Sequence, residues 1–178
     1  MHPVRHFNRI RKHRSLVRKY CFRLGLYRQG LTHDLSKYSP AEFLRSACYY
    51  RSGRNPITVE RQTKGESLAW LHHKGRNKHH YEYWADYHTG EDGRVSFGGG
   101  KMPRRYIAEM FCDSIASSKT YLGDRYTDAA PYEHYMKKQD KPIHPETAKE
   151  IEKMLLILRE QGEEAAFEYV KKWLNEEL

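Results

Sequence analysis

The sequence predicts an all-α fold, a helical bundle closed by a C-terminal helical hairpin. Apolar residues recur at spacings of three, four and seven along most of the chain, as one face of a helix requires. Prolines and glycines stand where such faces begin and end, and one segment alone, 88–101, is both long and irregular. At 178 residues the chain can bury a full core, and 14 Tyr, 6 Phe and 3 Trp predict a core rich in half-buried rings.

Residues 6–24 form the first predicted helix, in which His6, Ile10, His13, Val17 and Leu24 share a face and Gly25 is the stop. Two histidines therefore sit on an apolar stripe. A second, short helix covers 28–37 through GLTHDLSK, and Ser39-Pro40 opens a third, PAEFLRSACYY, with proline in its first turn. RSGRNP is a loop; 58–87 reads as helical again, with a break at KGRN where Gly75 and Asn77 weaken it. HTGEDGRVSFGGGK, 88–101, is a loop or a small hairpin and the candidate lid. Pro103 starts a helix that runs to Leu122 and carries Glu109 and Asp113. A turn and a short helix follow. From His144 two amphipathic helices, broken near Gly162, bury Ile151, Leu155, Leu158, Phe167, Val170 and Leu174. Residues 1–125 are read as the functional helical domain and 126–178 as an extension packed on it.

Composition narrows the function classes. The net charge of +9 favours an anionic partner, whether phosphate ester, nucleotide or nucleic acid. No helix-turn-helix, zinc-finger or RNA-binding signature accompanies it, so nucleic acid is a partner without a motif. No apolar run approaches the ~20 residues of a membrane span, and the basic N-terminus lacks the apolar run of a signal peptide. The expectation is a cytoplasmic protein that spans no membrane. Cys21, Cys48 and Cys112 are widely spaced, with no CxxC pair, and read as reduced thiols.

The histidines carry the chemistry. WLHHKGRNKHHYEYW holds two doublets, His72-His73 and His79-His80, with corresponding members seven positions apart. His33-Asp34 sits on the short second helix, with Lys37 one turn beyond. Together with His6, His13 and Asp113 these residues offer imidazoles and carboxylates from bundle-facing positions, a donor set suited to one or two ions of Fe, Mn, Co, Ni or Zn. Asp34, as a bridging carboxylate, could hold two such ions about 3.5–4 Å apart and so activate a shared water. The bland reading of each residue stands beside this one: a histidine on an apolar stripe can be a hydrogen-bonded core residue. Asp113 can bond Ser114 or Ser117 within its own helix, and Lys74, Arg76 and Lys78 can be a solvated loop.

The ordered pattern H…HD…H…H…D on a helical chain resembles the HD-domain superfamily of metal-dependent phosphohydrolases. HDLSK is similar to its HD-x-x-K signature, and FCDSIASSK resembles the helix that delivers its last aspartate. The likeness spans residues 6–125. It implies that His33, Asp34 and Asp113 are metal ligands, with one early histidine: His13, whose HRSLV run resembles the superfamily's first helix, or His6. It further implies ligands from the doublets, for which His72 and His79 are chosen, with His80 added. The chain also resembles a small family sharing the HRxLVxKYCF, GLTHDLSKYSP and WLHHKGRNKHHYEYW stretches, some of whose members carry a catalase label; nothing in the sequence supports a haem catalase.

The function expected from this likeness is hydrolysis of a nucleotide or related small phosphorylated molecule by a metal-activated water. Asp34 and Lys37 are then the catalytic pair, with Lys37, Arg76, Lys78, Arg104 and Arg105 as cations for the phosphate. The alternatives are a binuclear-iron oxygenase with the same ligands, and a non-catalytic binder of nucleotide or nucleic acid. The C-terminal helices could also serve as an oligomer interface.

Overall fold

Pro3 fixes the first turn of a 21-residue helix, α1 (Pro3–Arg23), which buries His6, Ile10, His13, Val17, Tyr20 and Cys21 along one stripe. A computed structural model describes residues 1–90, 92–138 and 140–176 of the chain, and among these eight α-helices and one two-stranded hairpin make up the regular structure. Gly25, at φ 76°, turns the chain into α2 (Tyr27–Thr32). There Gly30 lets the two helices touch: a Cβ at this position would lie 3.0 Å from the Phe22 ring and 3.1 Å from Cβ of Cys21.

The helix expected over 28–37 stops at Thr32 instead. His33 is extended, Asp34 adopts a left-handed conformation (φ 55°, ψ 24°), and Leu35–Tyr38 is a single 3-10 turn. Such a conformation in a residue with a Cβ costs roughly 1–2 kcal/mol, and it is the sort of strain that functional sites retain. Here it lets two adjacent side chains enter one space.

Ser39 caps α3 (Pro40–Cys48), and Asn55 caps α4 (Pro56–Lys64) by accepting from the Ile57 amide. Over 58–87, expected as helical with a break at KGRN, the helix does end at Lys74, but it is also interrupted at Gly65 and does not resume after the break. Gly65 in the left-handed region ends α4, Ser67 caps α5 (Leu68–Lys74) through the Trp70 amide, and the Asn77 side chain ties back to the His73 carbonyl at 2.8 Å. After a 3-10 turn at Tyr81–Trp84 comes β1 (Ala85–Thr89), antiparallel to β2 (Val95–Gly99) in the register Ala85↔Gly99 to Thr89↔Val95. The irregular segment is therefore a hairpin, except that residue 91 lies outside the described residues. Its two strands have the alternating β-branched and aromatic residues of a solvated ribbon, and they qualify the all-α expectation.

The remaining helices are α6 (Arg104–Leu122), α7 (Ala130–Met136) and α8 (Pro145–Asn175). α8 is broken at Gly162 (φ 85°, ψ 176°). Nζ of Lys153 lies 4.8 Å from the centre of the Tyr169 ring, whereas a straight helix would separate those residues by roughly 24 Å. The two halves thus fold back on each other. α1, α6 and α8 enclose the core, with Val17, Phe111, Ile115, Ile151, Leu158 and Phe167 among its buried side chains. Cys21 and Cys112 are buried free thiols, and Cys48 is an exposed one. No described helix is long and apolar enough to cross a membrane.

Gly99 anchors the hairpin to the segment before α8. A Cβ there would lie 2.5 Å from the His144 amide nitrogen and 2.6 Å from the Pro142 carbonyl oxygen, both of them backbone atoms. Gly99→Ala should therefore destabilise the protein by about 1–3 kcal/mol, as overpacking does. The expected sign in thermal denaturation is a fall in Tm of a few degrees with metal content unchanged; an unaltered Tm would refute the close approach.

Candidate metal centre

Four segments deliver polar side chains to one buried region between α1, α5 and α6. α1 supplies His13, the strained junction after α2 supplies His33 and Asp34, α5 and the turn after it supply His73, His79 and His80, and α6 supplies Glu109 and Asp113. His13, His33, Asp34, His73, His79 and Glu109 are all buried.

Asp34 stands at the middle and faces two ways. Its Oδ2 is 3.3 Å from Nε2 of His13 and 3.3 Å from Nε2 of His33, and Asp113 Oδ1 is 3.1 Å from the same His13 nitrogen. Its Oδ1 is 3.3 Å from Nε2 of His73 and 3.5 Å from Nε2 of His79, with His80 Nε2 2.9 Å from that of His73. The carboxylate thus joins two groups of ligand-type atoms: His13, His33 and Asp113 on one side, and His73, His79 and His80 on the other.

The far nitrogens of three rings are held by two glutamates. Nδ1 of His33 and Nδ1 of His79 lie 2.9 and 3.2 Å from the same Glu109 oxygen, while Nδ1 of His73 is 2.8 Å from Glu42 Oε2. A carboxylate there accepts from N–H, which fixes the tautomer of the neutral ring and, once His33 gives up its second proton, leaves each Nε2 as a lone pair directed at the centre. For this reason His33, His79 and Glu109 together are a hydrogen-bonded orienting group and not a third ligand set. Lone pairs facing a carboxylate oxygen repel, and Asp34 Oδ1 and His79 Nε2 are in fact both buried without a hydrogen-bond partner. A cation between them is what would satisfy both atoms. The donor set therefore fits metal.

The electrostatics agree. Burial disfavours charge on His33, but Asp34, Glu109 and Asp113 more than offset this and raise its pKa to about 10. Burial, with His79 and His73 adding to it, pushes His80 well below the usual histidine range. Burial also works against the Asp34 carboxylate, yet His33, Lys37 and His73 hold it ionised far below the usual carboxylate range. Without metal, His33 thus carries a proton among the anionic oxygens while His80 stays neutral.

Each predicted site residue has a definite place. His13, His33, Asp34, His79, His80 and Asp113 converge. His6 does not: it packs on Phe43, ring centres 5.3 Å apart, outside each donor group. His72 is half-buried and turns to Glu42, its Nδ1 2.6 Å from Oε1, while His73 occupies the ligand position. The reason is that α5 ends at Lys74, so the seven-residue spacing is not a helical repeat; His73 shares the buried face of Ala69, and the chain reverses to bring back His79 and His80. Ser117 donates to Asp113 Oδ1 at 3.2 Å, so the intrahelical bond weighed for Asp113 coexists with its approach to His13.

Lys37 lies beside the centre, Nζ 2.5 Å from Asp34 Oδ2. Arg76 and Lys78 are exposed, Arg76 bonding the His72 carbonyl at 3.2 Å. Arg104 bonds the Trp173 carbonyl at 2.5 Å and Arg105 lies over the Tyr106 ring, in a first turn of α6 that faces α8. Instead, a cleft of about 800 Å³ that reaches His80 and Asp113 is lined by Arg61, Lys137 and Lys138 as its cations, together with Trp70 and Tyr81. Glu42 and Glu109 are the functional residues that spacing alone did not single out. Glu109 precedes Asp113 by four residues and so shares its helical face, a signal present in the sequence. Glu42 is disguised as the N3 residue of a helix start capped by Ser39.

Fold and site together define a largely helical protein built around a buried His/Asp/Glu cluster able to hold metal. The chain belongs to the family described as "Family of unknown function (DUF5662)", whose model matches residues 2–157. No curated protein and no solved structure matches it.

Proposed function

We propose that this protein is a metal-dependent hydrolase of phosphate esters of the HD type, acting on a nucleotide or related small phosphorylated molecule. The observation that carries this reading is the two-sided approach to Asp34, with one oxygen facing His13 and His33 and the other facing His73 and His79. The ligand-type residues also occur in the chain order that the HD resemblance implies. Metal ions held there would lower the pKa of a bound water and polarise a phosphoryl oxygen.

The protein's own contribution is positioning and charge. Glu109 and Glu42 fix the rings. Lys37, whose pKa is raised by Asp34 and Asp113 despite burial, remains a cation at the edge of the centre, where it can hold a phosphoryl oxygen. The cleft would admit substrate toward His80 and Asp113, with Arg61, Lys137 and Lys138 as the cations nearest an anionic one, beside the carboxylates of Glu82, Glu133 and Asp140 on the same lining. The imidazole-rich donor set also suits iron, and for that case the readout is oxygen consumption.

Elemental analysis tests the reading, on protein purified without oxygen or added metal, with His33→Ala/Asp34→Ala alongside. One or two equivalents of Fe, Mn, Co, Ni or Zn are expected in the wild type and none in the folded double variant. Turnover of a phosphate-ester panel without O₂ should follow metal content; turnover that requires O₂ would replace hydrolysis by oxygenation. A wild type that neither carries nor takes up metal would overturn both.

A further inference from the structure

His6 is 6% exposed, and its Nδ1 is buried with no hydrogen-bond partner. It lines a small chamber between α1, α3, the start of α4 and the end of α6, together with Arg9, His13, Lys37, Asn55 and Tyr121. The chamber's free volume of about 70 Å³ is well above the ~10–15 Å³ that one water needs, so it has room for a phosphate-sized ion. Asn55, Ile57, Ser117 and Tyr121 line both this chamber and the large cleft, so the two share a wall.

We propose that this chamber is a binding subsite for a compact tetrahedral oxyanion, such as a terminal phosphoryl group, with the unpartnered His6 nitrogen and the Lys37 and Arg9 cations as its recognition groups. The inference rests on the hydrolase reading for its role but not for its existence. Arg9 is held in place by the carbonyls of Arg54 and Arg51 at 2.9 and 3.1 Å, and its guanidinium stacks 4.0 Å from the Tyr50 ring centre. Each terminal nitrogen spends one hydrogen on a carbonyl, so the guanidinium keeps its charge and further N–H donors for an anion. Asn55 caps α4 with its oxygen, which leaves its amide N–H₂ as a donor, and the positive end of the α4 dipole adds to the field. The one carboxylate that lines the chamber, Glu42, is engaged by His72 and His73. Burial, then Lys37 and Arg9, lower the His6 pKa to about 4, so the ring is neutral and can donate an N–H while its neighbours supply charge. Because the chamber adjoins His13 and shares a wall with the cleft, a monoester reaching across that wall would place its phosphoryl group inside and its organic part in the cleft.

The test is calorimetric titration of the full chain, metal-loaded and after chelation, with inorganic phosphate and with phenylphosphonate. His6→Phe, which retains ring packing on Phe43 and Tyr50, should weaken both ligands at least tenfold in either metal state with little change in Tm. His6→Gln, which restores an N–H donor, should recover part of the affinity. Tighter binding of phenylphosphonate would mark a substrate's phosphoryl group and tighter binding of phosphate a free anion; each supports the subsite. Absence of anion binding, or binding that His6→Phe leaves unchanged, overturns it. Binding that vanishes on chelation and ignores His6→Phe places the anion on the metal, overturning the subsite but not the hydrolase reading. His6-dependent binding in a protein that takes up no metal would leave the subsite standing and remove the hydrolase.

Discussion

Asp34→Ala should strip metal from both sides of the centre at once, whereas His13→Ala and His80→Ala should each reduce it on one side. The asymmetry follows from geometry: Oδ2 of Asp34 faces His13 and His33 while Oδ1 faces His73 and His79, whereas Glu109, which also reaches both groups, meets only the far Nδ1 nitrogens of His33 and His79. In the metal-free protein, loss of Asp34 leaves Lys37 without its 2.5 Å partner, and breaking a buried pair on one side costs about 3–5 kcal/mol. Asp34→Asn retains the shape and is the control for folding, with circular dichroism and Tm read beside elemental analysis. Equal losses in all three alanine variants would contradict a two-sided centre. A pH dependence accompanies this. With its pKa raised to about 10, His33 keeps a proton in the metal-free protein throughout the neutral range. Metal must displace that proton, so affinity should strengthen as pH rises and each binding event should release protons to the buffer. Proton uptake on binding would contradict the assignment of His33 as a ligand.

Glu109→Leu should weaken metal binding on both sides by roughly 10–100-fold, the usual cost of losing a carboxylate that orients ligand histidines. One Glu109 oxygen accepts from the Nδ1 positions of both His33 and His79, and those rings serve different oxygens of Asp34. Glu109→Gln keeps an acceptor oxygen and should lose less. Competition against a fluorescent chelator measures both. An affinity loss confined to one equivalent would show that Glu109 serves a single ring, and no loss at all would remove its positioning role.

His33 and Asp34 stand out in the sequence as an HD pair followed by lysine, whereas His13 and Asp113 stand out only through the HD resemblance, since the apolar stripe of the first helix offers His6 as well as His13 and a helical carboxylate can bond its own serines. The core was legible from a local pattern, since Val17, Ile151, Leu155, Leu158, Phe167 and Val170 repeat at helical spacing and are all buried. What spacing could not decide was rotation. His72 and His73 differ by about 100° around α5, and only the packing of Ala69 and His73 toward α3 selects between them. His6 lies on the same stripe as His13, yet two helical turns move it from the His/Asp cluster into the chamber beside Phe43. Arg104 and Arg105 share a helix with Asp113, but they stand roughly 13 Å away along its axis, Arg104 bonded to α8 and Arg105 exposed over Tyr106.

Residue types and local periodicity therefore determined the helices, the buried apolar faces and the existence of a His/Asp constellation. These depend on interactions between residues a few positions apart. Tertiary structure alone decided which rings point at Asp34, that Glu109 ties two of them together, and which cations line the cleft. Those choices rest on contacts between segments far apart in the chain, 76 residues for His33 and Glu109 and more for His13 and Asp113, and helical phase carries no information about them.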